Sequence, residues 1–190
     1  MKYTSYNLTV NKIIIKDKLT GADKIFYELF NQNVEYVFMV SGGAIMPLVD
    51  KFYNNKMIKY IVNAHEQNSV HAATGYARSS NKTGVVITTS GPGLTNAITG
   101  MLDATNDSTP LVILSGQVSL DSVGKQSFQE CDAVNLSKSA TKWSYQVKPD
   151  DDIKQIINKA FFIANDNKKG AVHIDLPKCI LSKNNNELNN

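Results

Sequence analysis

The residue best placed to do chemistry in this sequence is Glu66, in the run His65-Glu66-Gln67. It follows a short apolar segment, predicted to be a buried strand, and precedes a helical pattern rich in small residues. A carboxylate at such a junction would lie at a sheet edge, partly shielded from water, where its pKa can rise. A structural role is the commoner interpretation of such a position, because a helix's first turn favours an acidic side chain by about 0.3–1 kcal/mol. The residues alone leave both interpretations open.

Two glycine-containing turns accompany this carboxylate. One is SGGA at residues 41–44, and the other is SGPG at residues 90–93. Glycines after strands make tight turns, and a proline at a helix start presets the backbone. The missing side chains would also let a flat ring approach the main chain closely. Neither GxGxxG nor GxxxxGK[ST] spacing occurs, so the sequence does not favour a Rossmann-type nucleotide site or a phosphate-binding loop.

The histidines and cysteines do not form a metal-binding pattern. His65 and His71 are six residues apart on a predicted helix and do not share a face, and His173 lies in a predicted strand, where a satisfied core or edge histidine is expected. Cys131 and Cys179 stand far apart, without CxxC or Cys/His spacing. The sequence therefore predicts neither a zinc site nor a disulfide framework, and it favours a reducing cytoplasm.

Composition narrows the class of protein. The chain has 190 residues, of which 42% are hydrophobic and 19% charged, with a net charge of +3. This balance is typical of a globular domain and too mild to indicate nucleic acid as a partner. The apolar runs are too short to span a bilayer, and the polar amino-terminal residues lead us to expect no secretory signal. We therefore expect no membrane association and a cytoplasmic location.

Apolar runs alternate with helical patterns, which predicts an α/β domain with a parallel sheet of about six strands, flanked by helices on both faces. Right-handed crossovers then bring the carboxyl ends of the strands to one edge, where ligands bind in such folds. Glu66 and both glycine turns are expected at that edge. The predicted organisation is a leader arm at 1–17, one domain at 18–181 and a polar tail at 182–190.

The ordered set of motifs resembles the N-terminal, pyrimidine-binding (PYR) domain of thiamine diphosphate enzymes. The resemblance covers about residues 20–180 and rests on six short sequence motifs. The last three of these motifs resemble acetolactate synthase (acetohydroxyacid synthase) large subunits in particular. In chain order, the six motifs are SGGAIMP at 41–47, HEQ at 65–67, GYAR at 75–78, VVITTSGPGLTN at 85–96, GQV at 116–118 and FQE at 128–130.

The resemblance implies thiamine diphosphate as cofactor and assigns roles to individual residues. Glu66 would be the catalytic carboxylate that bonds N1′ of the aminopyrimidine ring, which favours the tautomer whose 4′-nitrogen can take a proton from C2. Phe128 and Gln129 would line the substrate side, although a surface amide in an irregular loop is the simpler interpretation of Gln129. The cofactor-binding residues implied are Gly42, Gly43, Ala44, Glu66, Ser90, Pro92 and Asn96.

The resemblance also implies a partner. In this family a Gly-Asp-Gly segment of another domain holds the diphosphate through Mg²⁺, and this sequence contains no such segment. We therefore expect the metal to be held by a partner domain, in a homodimer or in a complex with a chain that carries the diphosphate-binding domain. So paired, the chain would contribute to pyruvate decarboxylation and condensation. The alternative is a truncated, non-catalytic relic or interaction module that associates with a full-length thiamine diphosphate enzyme.

Overall fold

A computed structural model describes residues 19–183. Six parallel strands form one sheet in the order β2-β1-β3-β4-β6-β5, which confirms the predicted α/β class. The strands are β1 Tyr36–Met39, β2 Lys59–Val62, β3 Gly84–Thr88, β4 Leu111–Gln117, β5 Trp143–Gln146 and β6 Ala171–Pro177.

Helices connect these strands and cover both faces of the sheet. They are α1 Gly21–Asn31, α2 Met46–Asn54, α3 Glu66–Ser80, α4 Pro92–Asn106, α5 Ala133–Lys138, α6 Ile153–Asn165 and α7 Lys178–Ser182, with a 3-10 turn at Leu120–Ser122. The predicted leader arm (1–17) and residues 184–190 of the predicted tail lie outside the described residues. No helix within residues 19–183 is long and apolar enough to cross a bilayer.

Local sequence explains where α1 begins. The Thr20 hydroxyl accepts a hydrogen bond from the Asp23 backbone N–H at 3.2 Å, and the Asp23 carboxylate accepts one from the Thr20 N–H at 3.0 Å. This reciprocal pair satisfies two N–H groups that a helix start would otherwise leave unpaired. Ile25 and Leu29, four residues apart, then face the core and are fully buried, as the spacing of an amphipathic helix predicts.

The sheet separates two apolar layers. Val85 and Ile87 of β3 pack into one layer, and Val86 between them packs into the other. This alternation follows from the two-residue period of a strand. Because both faces of β3 are covered, every residue of that strand is apolar or small and all are buried, as in other parallel sheets.

One prediction about the sheet was wrong. The sequence predicted a buried strand before Glu66, but all four residues of β2 are exposed. The reason is topological: β2 lies at the end of the sheet and pairs with β1 alone among the described strands. The sequence patterns also did not predict α5, α7 or the 3-10 turn.

Candidate functional site

The turns that follow β1, β2 and β3 meet at one edge of the sheet. The contact is close: a Cβ built on Gly42 would lie 2.5 Å from Cβ of Thr89, and one built on Gly93 would lie 3.5 Å from Oε1 of Glu66. The structure therefore brings together the carboxylate and both glycine turns, as expected from the parallel topology.

Glu66 is the first residue of α3 and is 8% exposed. Its Oε2 accepts a hydrogen bond of 3.0 Å from Nδ2 of Asn96 on α4. No residue within 19–183 donates a hydrogen bond to its Oε1. One oxygen of this shielded carboxylate is thus fixed, and the other is available to a donor from outside the chain.

Thr89 adds a group that the sequence analysis did not single out. It is 7% exposed, and its Oγ1 is the one buried side-chain N or O atom in the described part of the chain without a hydrogen-bond partner. Buried hydroxyls are nearly always paired. The hydroxyl lies against Gly42 at the same edge. The sequence holds only a weak signal for it, the position of Thr89 just after β3.

The glycines of the two turns differ in the space available for a side chain. Gly91 has φ +56°, and a Cβ there would lie 2.5 Å from the backbone oxygen of Gln129, so a side chain is excluded by both conformation and space. Gly42 has no room either. Gly43 is the opposite case, because a Cβ built on it meets no atom within 4 Å. Open space therefore lies beside Gly43.

Three other predicted cofactor-binding residues occupy the turns themselves. Ser90 is buried, and its backbone oxygen accepts a hydrogen bond of 3.1 Å from the Gly93 N–H. Pro92 is exposed and starts α4, the helix-start position predicted for it. Ala44 packs against β4, where a Cβ on Gly116 would lie 2.9 Å from the Ala44 carbonyl carbon. Ser90 and Pro92 shape the edge through their backbones.

Phe128 and Gln129 lie in the loop between the 3-10 turn and α5. Phe128 is 87% exposed, and Gln129 is half-buried with its backbone against Gly91. The loop is tied to the sheet by Gln117, whose Nε2 donates to the Cys131 oxygen at 3.0 Å. Gln129 thus borders the same edge as Glu66 through its backbone, and Phe128 precedes it in the loop as an exposed side chain.

A second polar group lies inside the sheet. His173 is fully buried in β6, and its ring nitrogens contact the hydroxyls of Ser115 at 2.7 Å and Ser137 at 2.8 Å. The prediction of a satisfied core histidine is confirmed. Burial lowers the pKa of His173 to about 3, so the ring is neutral at physiological pH.

Asp175 belongs to the same network. Burial raises its pKa to about 6, against hydrogen bonds from Gln146, Ser115 and Gln117 that lower it. The Ser115 hydroxyl lies between His173 and Asp175, whereas a catalytic triad needs the histidine in the middle. The network is therefore a structural one. Within residues 19–183, no three His, Cys, Asp or Glu residues are grouped so as to hold a metal ion.

Comparison with known proteins agrees with this geometry. Residues 19–136 match the family described as thiamine pyrophosphate enzyme, N-terminal TPP binding domain. The chain is 46% identical over 167 residues to the acetolactate synthase large subunit of Haemophilus influenzae, which covers 88% of this chain and 29% of that protein. It is 42% identical over 180 residues to the Lactococcus lactis large subunit, covering 95% and 31% respectively.

A eukaryotic relative has a similar sequence identity to this chain. The mitochondrial acetolactate synthase catalytic subunit of Saccharomyces cerevisiae is 46% identical over 161 residues, which is 84% of this chain and 23% of that protein. The chain thus spans roughly a quarter to a third of the length of these relatives. The family match covers more than half of the described residues and includes Glu66 and both glycine turns. This chain therefore belongs to the thiamine pyrophosphate enzymes, as an N-terminal TPP binding domain that resembles the one in acetolactate synthase large subunits.

Proposed function

We propose that this chain holds the aminopyrimidine ring of thiamine diphosphate, with Oε1 of Glu66 accepting a hydrogen bond from the N1′–H that the ring carries in its protonated or imino form. One observation carries the proposal: Glu66 is 8% exposed, its Oε2 is held by Asn96, and no described residue donates to its Oε1. A buried carboxylate with an unused acceptor is stabilised by an outside donor, and a hydrogen bond to a charged group is among the stronger ones.

The other residues at the edge fit a flat heteroaromatic ring. The space beside Gly43 is open, and the Thr89 hydroxyl lacks a partner within the described chain. A ring that carries an amino group and ring nitrogens offers donors and acceptors to such groups. The residues that would hold the ring are Gly42, Gly43, Ala44, Glu66, Ser90, Pro92 and Asn96, with the Thr89 hydroxyl as an addition.

The negative charge of the Glu66 carboxylate would stabilise a proton on N1′ and so favour the imino tautomer of the ring. Low exposure strengthens that electrostatic contact because little water screens it. Asn96 would keep the carboxylate in one orientation, so that Oε1 faces the ring without reorganisation. When bound, thiamine diphosphate supplies the electron sink for cleavage and formation of bonds next to a carbonyl. Phe128 and Gln129 would meet the 2-oxo acid substrate, with the Gln129 amide donating to its carboxylate or carbonyl.

The remaining parts of the reaction would come from a partner domain. The relatives are acetolactate synthases, of which this chain spans roughly a quarter to a third. We propose that the diphosphate and Mg²⁺ are held by that partner domain, within a homodimer or in a complex with a second chain, and that pyruvate decarboxylation and condensation is the reaction served.

The test compares two buried glutamates. The chain is purified from its own cells with thiamine diphosphate and Mg²⁺, co-purifying proteins are identified, and pyruvate consumption is measured. Glu66→Gln is expected to reduce turnover at least 100-fold without changing assembly. Glu28→Gln is the matched control, because Glu28 is 5% exposed and also accepts an asparagine amide, from Asn31 at 3.1 Å, but lies on α1.

Each outcome has a clear meaning. Turnover in Glu66→Gln close to that of the unmodified chain contradicts the role given to this carboxylate. If the chain purifies alone, retains no cofactor and has no activity, then the non-catalytic interaction module becomes the better description.

A further inference from the structure

The carboxylate of Glu130 organises the loop that carries Phe128 and Gln129. Its Oε1 accepts a hydrogen bond from the Gly124 backbone N–H, and its Oε2 accepts one from the Ser127 N–H at 2.9 Å. The backbone N–H groups of Lys125 and Gln126 face the same carboxylate and, with the first two, hold the pKa of Glu130 below its ordinary value. Successive N–H groups of residues 124–127 therefore surround one side chain.

The backbone of this loop needs such support. Gln126 and Gln129 have φ values of +57° and +59°, a left-handed conformation that is unfavourable for residues other than glycine. The Ser127 hydroxyl adds one further bond, to the Ser122 oxygen at 2.9 Å. Charge-assisted bonds to Glu130 offset the strain, because they are stronger than bonds between neutral groups.

The far end of the loop rests on the candidate site. The Gln129 oxygen occupies the space that a side chain on Gly91 would need, and the Cys131 oxygen is held by Gln117 at 3.0 Å. Glu130 lies between these two anchor points. The hydrogen bonds of Glu130 therefore act directly beside the residue whose backbone contacts the Gly91 turn.

We propose that Glu130 is a positioning residue, which sets the placement of Gln129 against the Gly91 turn, and of the adjacent Phe128, by gathering the N–H groups of residues 124–127. That these two side chains meet a 2-oxo acid rests on the proposed function. The positioning itself is a property of the chain without cofactor or partner, and it is tested there, so either proposal can fail without the other.

The first measurement is the rate of tryptic cleavage after Lys125, an exposed residue inside the loop. Glu130→Ala is expected to raise this rate at least tenfold, and Glu130→Gln, which keeps one acceptor oxygen, to raise it less. Asp121→Asn is the control, an exposed carboxylate of the same segment. Circular dichroism checks that all variants keep the fold. An unchanged rate in Glu130→Ala would overturn the proposal.

The second measurement separates positioning from local loop structure. In ¹H–¹⁵N spectra the amide resonances of Gly124, Ser127 and Gly91 are followed between pH 2.5 and about 7. The Gly91 resonance is expected to share a transition with the other two, at a pH below the ordinary glutamate pKa. Glu130→Gln should abolish that shared transition, and Asp121→Asn should preserve it.

Other titratable groups face the same turn, and the variant distinguishes them from Glu130. Glu66 faces this turn from α3. The Cys131 thiol and the Asp132 carboxylate directly follow Glu130 in the chain, and the charge of Asp175 on β6 acts electrostatically on Cys131. Transitions that persist in Glu130→Gln belong to these groups. A Gly91 resonance that is indifferent to the Glu130 substitution would show that the carboxylate orders its own loop only, and the proposal would fall.

Discussion

Asn96 on α4 donates a hydrogen bond of 3.0 Å to Glu66 at the start of α3, and it fixes one of the two oxygens of that carboxylate. The pair joins two helices that follow different strands, so the orientation of the carboxylate depends on the packing of α3 against α4. Orientation by a neutral amide leaves the charge of Glu66 in place.

Removal of this amide should loosen the carboxylate. Asn96→Ala is expected to reduce kcat/KM for pyruvate in the assembled enzyme on the order of tenfold, about 1.4 kcal/mol, because Oε1 is then held less firmly toward the ring. Asn31→Ala, which removes the amide bonded to Glu28 at 3.1 Å, provides the control and should leave kcat/KM unchanged. Equal losses of kcat/KM in the two variants would indicate that the cause is a less stable fold and not the orientation of Glu66.

The unpaired hydroxyl of Thr89 gives a prediction about stability. Thr89→Val is expected to leave the free energy of unfolding of the free chain unchanged or to raise it by up to about 1 kcal/mol, because the hydroxyl is buried without a partner. Thr88→Val should lower it by about 1 kcal/mol, since that hydroxyl donates to the Thr89 oxygen at 3.3 Å. Urea unfolding measures both. A destabilised Thr89→Val would mean that the hydroxyl is satisfied in solution.

The two glycine turns should respond differently to an added methyl group. Gly91→Ala is expected to lower the free energy of unfolding by about 1–3 kcal/mol, because φ is +56° and the Cβ would meet the Gln129 oxygen at 2.5 Å. Gly43→Ala should change it by less than about 0.5 kcal/mol, because its Cβ would face open space. If the ring lies there, Gly43→Ala weakens cofactor binding all the same, which calorimetry of the assembled enzyme can measure.

His173 and Asp175 have opposite effects on how the free energy of unfolding changes with pH. The pKa of His173 is lowered from 6.5 to about 3, so the unfolded chain binds more protons in that range and stability rises with pH. The pKa of Asp175 is raised from 3.8 to about 6, so the folded chain binds more protons there and stability falls with pH. Each contributes a slope of about 1.4 kcal/mol per pH unit between the two pKa values, with opposite sign.

The contributions of these two residues should therefore nearly cancel between about pH 4 and pH 6. Asp175→Asn removes the falling contribution, and the unfolding free energy of that variant is expected to rise more steeply with pH over this interval than that of the unmodified chain. Denaturant unfolding at several pH values measures the two slopes. Parallel pH profiles would contradict the burial-raised pKa of Asp175.

Much of the fold was predictable because its signals are local. The apolar stretch 84–89 predicts a fully buried strand, and the three-and-four spacing of apolar residues in 153–164 predicts α6. The motifs predicted which turns meet at the sheet edge, and parallel topology supplied the reason. Glu66 and Asn96, thirty residues apart, could be assigned to one site only through the family resemblance.

What the sequence could not supply depends on neighbours in space. The exposure of β2 follows from its position at the end of the sheet, which its apolar residues do not encode. The unpaired state of the Thr89 hydroxyl requires knowledge of every nearby donor and acceptor. The hydrogen bonds that Glu130 accepts come from residues close to it in sequence. The contact of the same loop with Gly91, by contrast, joins two turns that are far apart in sequence.

The exposed edge strand β2 has a consequence for the behaviour of the chain in solution. On the side away from β1, its backbone N–H and C=O groups have no partner strand in the described sheet, and Tyr60, Ile61 and Val62 are at least 40% exposed. An uncovered apolar edge of this kind is a template for further strand pairing. Lys59 is the single charge along it that discourages such pairing. Handled alone at high concentration, the chain should therefore lose monomer to edge-to-edge aggregation, and a lysine in place of Ile61 should slow that loss.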